Sequence, residues 1–402
     1  MLKNNAILKH SLNIVYLHQY FQTPDEGGAV RSWHIARALA AAGHTVNIIS
    51  AGNTNDKRIV SNDGFTVHYL PVKYDNAYSP AQRIAAFLRF MRASFKLSAQ
   101  LKPDIIYASS TPLTVGISAL WMKWLYNVPY IFEVRDLWPE APVQLGFLKN
   151  PILINLSRWA EKLIYKNAAH VIALSGGMKE GILKVWPGAK ASTVPNFADI
   201  EYFNKPENTD HKPELPGRFI GRKIISYTGS IGFSNRVSSL IDFAAWCHSI
   251  GDESFAFVIA GKGAEAEKLK AAAANLHNVV FLGHLNRHQT AGLLSVSSFS
   301  YVCFGLWPVL QTNSPNKLFD ALAAGVPIIV NQPGWMQELA ENGCGIFAEE
   351  GRFAELYLQA SVYADQNKDT LKEHILNTAW EFRPQKGTAV IVGIVNSLAA
   401  GF

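Results

Sequence analysis

Short apolar runs alternate with longer amphipathic segments along nearly the whole chain. This alternation constrains the fold more than any other feature. A parallel sheet buries both faces, so its strands read as unbroken apolar runs, and each needs a crossover helix to the next. The pattern lapses once. Residues 204–222 carry Lys205-Pro206-Glu207, Lys212-Pro213-Glu214 and Pro216-Gly217 with no apolar period, as a linker does. Before the lapse the runs predict strands over 13–18, 45–50, 65–70, 105–108, 130–133, 171–174 and 192–194. Helices are predicted over 30–42, 81–100, 115–126, 152–166 and 177–185. After it the strands are 223–228, 255–260, 279–282, 299–302, 328–330 and 345–347. The helices there are 237–247, 264–276, 287–296, 317–324, 335–342 and 353–365, with two more around 370–379 and 387–398.

The expected fold class is α/β: two Rossmann-like, doubly wound parallel-sheet domains facing a cleft. Residues 1–203 form the first, 204–222 the linker and 223–386 the second. A length of 402 residues suits two or three domains, and 49% hydrophobic content with 17% charged suits large buried sheets. Cys247, Cys303 and Cys344 have no metal-type spacing, and so sparse a set fits a reducing compartment. Residues 1–12 do not read as a signal peptide, and no long apolar stretch reads as a membrane span. The expected location is therefore cytoplasmic. The net charge of +6 suits either general solubility or an anionic partner. No dense basic run with interleaved aromatics is present, so nucleic acid is not an expected partner.

In such sheets ligands bind beyond the carboxyl ends of the strands, and the candidate residues fall there. Asn313 to Pro327 reads as a polar loop, a short helix and a Gly-X-Pro turn into an apolar strand. A helix N-terminus at Ser314, Pro315 and Asn316 presents free amides to a phosphate, and Lys317 adds a charge in the first turn. Asp320 lies about a turn further on, where a carboxylate can accept from sugar hydroxyls. Gly27 and Gly28 follow the first strand and let a backbone approach a phosphate closely, or form an ordinary flexible loop. The pattern G-x-G-x-x-G is missing there, so hydride chemistry loses its main support.

Glu133, Arg135 and Asp136 end an apolar strand, where unpaired burial would cost several kcal/mol. Asp136 or Glu133 is placed to touch a reacting hydroxyl or a sugar; the alternative is a structural ion pair of Arg135 with a carboxylate. Ser230 and Arg236 lie in a strand–glycine–helix turn suited to a diphosphate, or in a plain turn. Gly261, Gly263, Gly283 and His284 end two further strands, where backbone groups can recognise a base edge. His18 and His284 are the histidines nearest these ends. No metal-type cluster and no nucleophile elbow is apparent. Finally, Arg83, Arg89, Arg92 and Lys96 share one predicted helix with Ile84, Phe87, Leu88 and Phe95. Trp121 to Leu125 follow on another. Such faces suit an anionic membrane surface, or simply one buried and one solvated side.

In order and spacing these motifs resemble the retaining, nucleotide-sugar-dependent glycosyltransferases of family four, of GT-B fold. More narrowly they resemble bacterial O-antigen and capsule enzymes of the fucosamine-transferase type. The marks are the Gly27-Gly28 loop, Glu133 to Pro139, Leu174 to Met178, Val194 to Asp199, Tyr227 to Gly232, Gly261 to Gly263, Phe281 to Gly283 and the Asn313 stretch. The resemblance implies that the second domain binds the nucleotide sugar, of UDP type, and the first the acceptor. It also implies that residues 387–402 return to the first domain. Gly27 and Gly28 would meet the donor diphosphate, Lys317 and the amides of Ser314 to Asn316 would hold the phosphates, and Gly283 and His284 would lie near the base. No metal is obligatory. The implied acceptor is lipid-diphosphate-linked or a saccharide, with peripheral contact at an anionic membrane surface allowed. The family's paired glutamates fall here on Thr312 and Asp320, and its arginine and lysine at the start of the second domain fall on Ser230 and Asn235. Phosphate charge then rests on Lys317, Arg236 or Arg31. A nucleotide-sugar 2-epimerase and a non-catalytic sugar-binding protein share the two-domain design and stand as alternatives.

Overall fold

The computed structural model describes residues 11–24, 30–52, 57–74 and 78–400. Gly27 and Gly28 lie outside them. The described chain forms two compact units.

In the first unit the strands are β1 (Asn13–Leu17), β2 (Thr45–Ala51), β3 (Arg58–Asn62), β4 (Phe65–Leu70), β5 (Ile105–Ser109), β6 (Tyr130–Val134), β7 (His170–Ala173) and β8 (Ala191–Thr193). They form one sheet in the order β3-β4-β2-β1-β5-β6-β7-β8. All pairings are parallel except β3 with β4. The predicted apolar runs are these parallel strands: β5 and β6 are buried at every residue, as a sheet covered on both faces demands. β3 is the strand that the runs do not show. It is an exposed edge strand joined to β4 by Asp63 and Gly64, which have φ of 53° and 84°. Two consecutive positive φ values make the two-residue turn that matches strand twist, so Asp-Gly was its sequence signal.

Helix starts follow local chemistry. Ser79 and Gln82 form a reciprocal capping box at Pro80–Leu101, and the Asn150 side chain accepts two amides at Pro151–Asn167. From Gln385 on, helix Pro384–Ala399 belongs to this unit, where Nε2 of His44 lies 3.1 Å from Oδ1 of Asn396.

The second unit carries β9 (Lys223–Thr228), β10 (Phe255–Ala260), β11 (Val279–Gly283), β12 (Phe299–Val302), β13 (Ile328–Val330) and β14 (Gly345–Phe347). Their order is β11-β10-β9-β12-β13-β14, with every pairing parallel. Its core joins Ile225, Phe257 and Phe299 of the strands to Leu240, Phe243 and Leu356 of the covering helices.

The unit boundary falls between Pro195 and Asn196, upstream of residue 203, and 204–222 is not a free linker. Asn196 bonds Ser314, the Ala198 amide donates to the Phe382 carbonyl, and Arg287 pairs with Asp199. Residues 206–211 and 217–219 form short 3-10 turns that bury Asn208 and Phe219. Gly292 has no side chain because the His211 backbone packs on it; a Cβ there would lie 2.3 Å from the His211 oxygen. Among the described residues no helix is long and apolar enough to cross a membrane.

Candidate active site

Each sheet reverses its strand order once, between β1 and β5 in the first unit and between β9 and β12 in the second. A crevice opens at the carboxyl end of such a reversal.

In the second unit that point is occupied by Lys317, from the first turn of helix Asn316–Ala323. Its Nζ donates to the Tyr227 hydroxyl at 2.9 Å and to Oδ1 of Asn235 at 3.2 Å. It lies 4.2 Å from the centroid of the Tyr227 ring and 5.0 Å from that of Phe304, residues of β9 and of the end of β12. Burial pushes its pKa down to about 8, and no described carboxylate pairs with it. Tyr227 is itself fixed, donating to the Ser230 carbonyl at 2.6 Å. An ammonium held by neutral partners keeps its charge available to an anion. The helix it starts has Pro315 at the N-cap and no side-chain cap, so the first amides are open as well.

The loop before this helix is tethered. Ser314 Oγ accepts from the Asn196 amide at 3.2 Å, and the Ser314 carbonyl accepts from Asn196 Nδ2 at 2.5 Å. Asp320, the next turn's carboxylate, has its pKa pushed up to about 7 by burial; nearby Arg287 opposes that rise and Asp199 adds to it. Arg287 is bound to Asp199 at 2.6 Å and lies 3.6 Å over the Tyr202 ring. Thr312 ends a 3-10 stretch and donates to the Val309 carbonyl at 2.8 Å.

The glycines beside Lys317 have a packing reason. A Cβ on Gly229 would lie 3.3 Å from the Lys317 side chain. Gly261 and Gly263 stack on the neighbouring loop, where Cβ atoms would lie 1.8 Å from the Gly229 oxygen and 2.2 Å from the Ile231 oxygen. Backbone bonds join the loops, from Gly229 N to Ala260 O at 3.0 Å and from Ile231 N to Lys262 O at 3.0 Å. Gly261 and Gly263 therefore seat the β9 loop against the β10 loop, which is a different duty from the base recognition expected of them. Gly283 has φ 71° with open space where a Cβ would sit, and Ser230 and His284 are exposed.

Two expected phosphate cations are committed elsewhere. Arg236 pairs with Glu350 on the surface. Arg31 is buried in the first unit, where Nε donates to Oε2 of Glu133 at 2.9 Å and Nη2 to the Val194 carbonyl at 3.0 Å. This also corrects Glu133 as a catalytic residue. It is fully buried and receives Arg31, the Tyr107 hydroxyl at 2.7 Å and Ser109 Oγ at 2.8 Å. Burial pushes its carboxyl up, but the charges of Arg31 and Arg135, helped by the Tyr107 and Ser109 hydroxyls, hold it below the usual range. A carboxylate with three donors and no exposed side-chain surface has no face open to a substrate.

Its neighbours differ. Arg135 Nη1 donates to Nε2 of His18 at 3.1 Å, and burial with that positive neighbour pushes His18 down to about 3. His18 is therefore neutral, and its Nδ1 is buried with no hydrogen-bond partner among the described residues. Asp136 is half-buried with no hydrogen bond to its carboxylate among the described residues; burial raises its pKa to about 6 although Arg135 opposes this. Asp136 is thus the open carboxylate at this strand end. Among the described residues no group of His, Cys, Asp and Glu could hold a metal ion.

The residues missed from sequence are Tyr227 and Asn235. Asn235 had a signal, because the family resemblance places a lysine there. The Lys317 ammonium reaches the Asn235 side chain from another element, so the charge returns to the same spot by a different route.

Two doubly wound sheets, each with a charged group beside its reversal point, define a GT-B architecture. Comparison with known proteins agrees. Residues 26–196 match a glycosyl transferase 4-like domain and residues 222–363 match the glycosyl transferases group 1 domain. The chain belongs to the glycosyltransferases. It is 23% identical to the alpha-maltose-1-phosphate synthase of Mycolicibacterium smegmatis over 69% of this chain and 73% of that one. Sucrose-phosphate synthase from Thermosynechococcus elongatus superposes with a TM-score of 0.75 at 15% identity, covering 97% of this chain and 100% of that one. Anabaena HepE in complex with UDP-glucose superposes with a TM-score of 0.67 at 16% identity, over 97% of this chain and 100% of that one.

Proposed function

We propose that this glycosyltransferase moves a hexose derivative, an N-acetylated amino- or deoxy-sugar, from a UDP-type nucleotide sugar to a lipid-linked or saccharide acceptor in bacterial surface polysaccharide synthesis, with retention at the anomeric carbon. The observation that carries the donor half is Lys317, an ammonium without a carboxylate partner among the described residues, at the reversal point of the second sheet. The UDP-glucose complex of Anabaena HepE, a protein of like fold, supports a UDP donor. The narrower sugar and pathway rest on the sequence resemblance.

In the reaction the acceptor oxygen bonds to the anomeric carbon as the bond to the diphosphate oxygen breaks. The acceptor's proton passes to the departing phosphate on the same face. Negative charge grows on that phosphate, and a preorganised ammonium stabilises it more in the transition state than in the ground state. Lys317 and the open amides of Asn316 and Lys317 fill this role, with no obligatory metal. Asp136 accepts a hydrogen bond from a sugar or acceptor hydroxyl, and Asp320 from the ribose.

A thermal-shift screen of nucleotide sugars tests the donor class, because a ligand bound only by the folded state raises Tm. UDP-sugars are expected to stabilise the chain, and stabilisation by none of them contradicts the reading. Incubation of a stabilising donor without acceptor separates transfer from epimerisation: an unchanged donor supports transfer and an epimer overturns it.

A further inference from the structure

We infer that the rings of Phe233 and Trp307 form the subsite that selects the transferred sugar, and that they favour a hexose bearing a methyl group over a fully hydroxylated one. The methyl group is that of an acetamido substituent or of a deoxygenated C6. This deepens the proposed function and rests on its UDP-sugar donor.

The two ring centroids lie 5.1 Å apart. Phe233 follows β9 and shares a short 3-10 turn with Asn235, which accepts from Lys317 Nζ. Trp307 follows β12 in the same loop as Phe304, whose ring centroid lies 5.0 Å from that nitrogen. The pair thus belongs to the two loops that flank the ammonium, and a diphosphate seated on Lys317 carries its sugar beside them. The loops are also stiff. The Asn331 side chain accepts from the Phe304 amide at 3.0 Å and donates to the Phe304 carbonyl at 2.8 Å. Gln332 Nε2 donates to the carbonyls of Phe304 and Gly305 at 3.0 and 3.2 Å. The Gly305 amide donates to the Ser234 carbonyl at 2.9 Å and ties one loop to the other. The Trp307 ring lies where a side chain on Gly305 would sit, so this glycine lets the indole fold back. Two buried amide side chains therefore fix a loop that faces solvent, as preorganisation for a ligand requires.

Chemistry selects the ligand. Phe233 is 49% exposed, Leu306 47%, and Trp307 is half-buried. Neither ring belongs to the core built on Ile225, Phe257 and Phe299. Residues 229–235 and 304–313 carry no acidic or basic side chain, so these loops offer no carboxylate to a sugar hydroxyl. A hydroxyl pressed on such rings loses hydrogen bonds to water, whereas a methyl group gains by leaving water. Apolar walls beside a single convergent charge are the usual make-up of a small-molecule site.

Calorimetric titration of the full chain with UDP, UDP-glucose, UDP-N-acetylglucosamine and UDP-6-deoxyglucose tests this, on the wild type, Phe233→Ala and Trp307→Ala. The wild type is expected to bind a methyl-bearing donor about tenfold more tightly than UDP-glucose, the lower end for one methylene in a hydrophobic pocket. The two methyl-bearing donors tell an acetamido methyl from a C6 methyl. Both variants are expected to bind UDP as the wild type does and to lose the preference. Phe233 is half exposed, so Phe233→Ala decides the matter even where Trp307→Ala does not fold. Equal binding of the three UDP-sugars by the wild type overturns the inference, as does a preference that survives in Phe233→Ala. Loss of affinity for UDP itself in Phe233→Ala, with an unchanged far-UV spectrum, would put the uracil on the rings and overturn it too. If UDP fails to bind the wild type, the donor reading falls and this inference with it; if UDP binds and the sugars are not told apart, this inference alone falls.

Discussion

Both units place charge at the carboxyl ends of a doubly wound sheet, yet they handle it in opposite ways. In the first unit Arg31 and Glu133 cancel each other inside a buried network, and one carboxylate, Asp136, stays open. In the second unit no described carboxylate cancels Lys317: its described partners are a phenol, an amide oxygen and two ring faces. Removing one partner of a matched buried pair destabilises a fold, while an unmatched buried charge is a candidate ligand site. On the proposed function, the second unit takes the anionic donor and the first recognises a hydroxyl.

The largest effect expected from breaking this contrast is in the second unit. Lys317→Ala should lower kcat by roughly 10²–10³, the range for removing one preorganised oxyanion partner, with little change in Tm. Steady-state rates and a melting curve check both halves. Glu133→Ala should show the reverse pattern. It strands the Arg31 charge in the interior and should cost about 3–5 kcal/mol, read by urea unfolding. If Glu133→Ala instead left stability intact and abolished only turnover, the assignment of the two carboxylates would have to be exchanged.

Asp136→Asn comes next, with an expected loss of roughly tenfold to a hundredfold in kcat/KM. The pH dependence has a definite sign. Asp136 has a folded pKa raised from 3.8 to about 6, so the folded state holds its proton more tightly than the unfolded state. Its ionisation therefore costs stability as pH rises through the interval from 3.8 to about 6, and the whole cost remains above it. Asp136→Asn should accordingly stabilise the chain at pH 8, by about 1–2 kcal/mol after allowing for partial exposure, and lose that advantage near pH 4. The wild-type rate should fall below pH 6, where the carboxylate is protonated. The smallest effect belongs to Arg236→Ala. Its partner is Glu350 on the surface, and an exposed pair is worth about 0–1 kcal/mol, so a melting curve should show a loss of no more than about 1 kcal/mol and steady-state rates should stay near wild type.

The strands were legible because parallel strands covered on both faces can only be apolar runs. β3 was not, since an exposed edge strand follows no such rule and its Asp63-Gly64 turn was its one mark. Residues 204–222 read as a free linker because Asn208 and Phe219 are buried singly, in 3-10 turns, and leave no period. The position of Lys317 in the first turn of a helix was readable from local sequence alone. Its partners Tyr227 and Asn235 were not, because they arrive from 90 and 82 residues away. Glu133 was misjudged for the same reason: its partner Arg31 lies 102 residues distant, so local pattern pointed to the adjacent Arg135. Distances in sequence of this kind are closed by the sheet, and no local motif records them.

Calorimetric titration of UDP into the wild type, Lys317→Met and Lys317→Arg at pH 7 and pH 9 tests the central claim most directly. Lys317 titrates at about 8 in the free protein, so wild-type affinity should fall as pH rises past that value, at up to about tenfold per unit. Lys317→Met should bind weakly at both pH values, and Lys317→Arg should bind with no such fall. Equal affinity of wild type and Lys317→Met at pH 7 would contradict the account, since the diphosphate would then be held by something other than this ammonium.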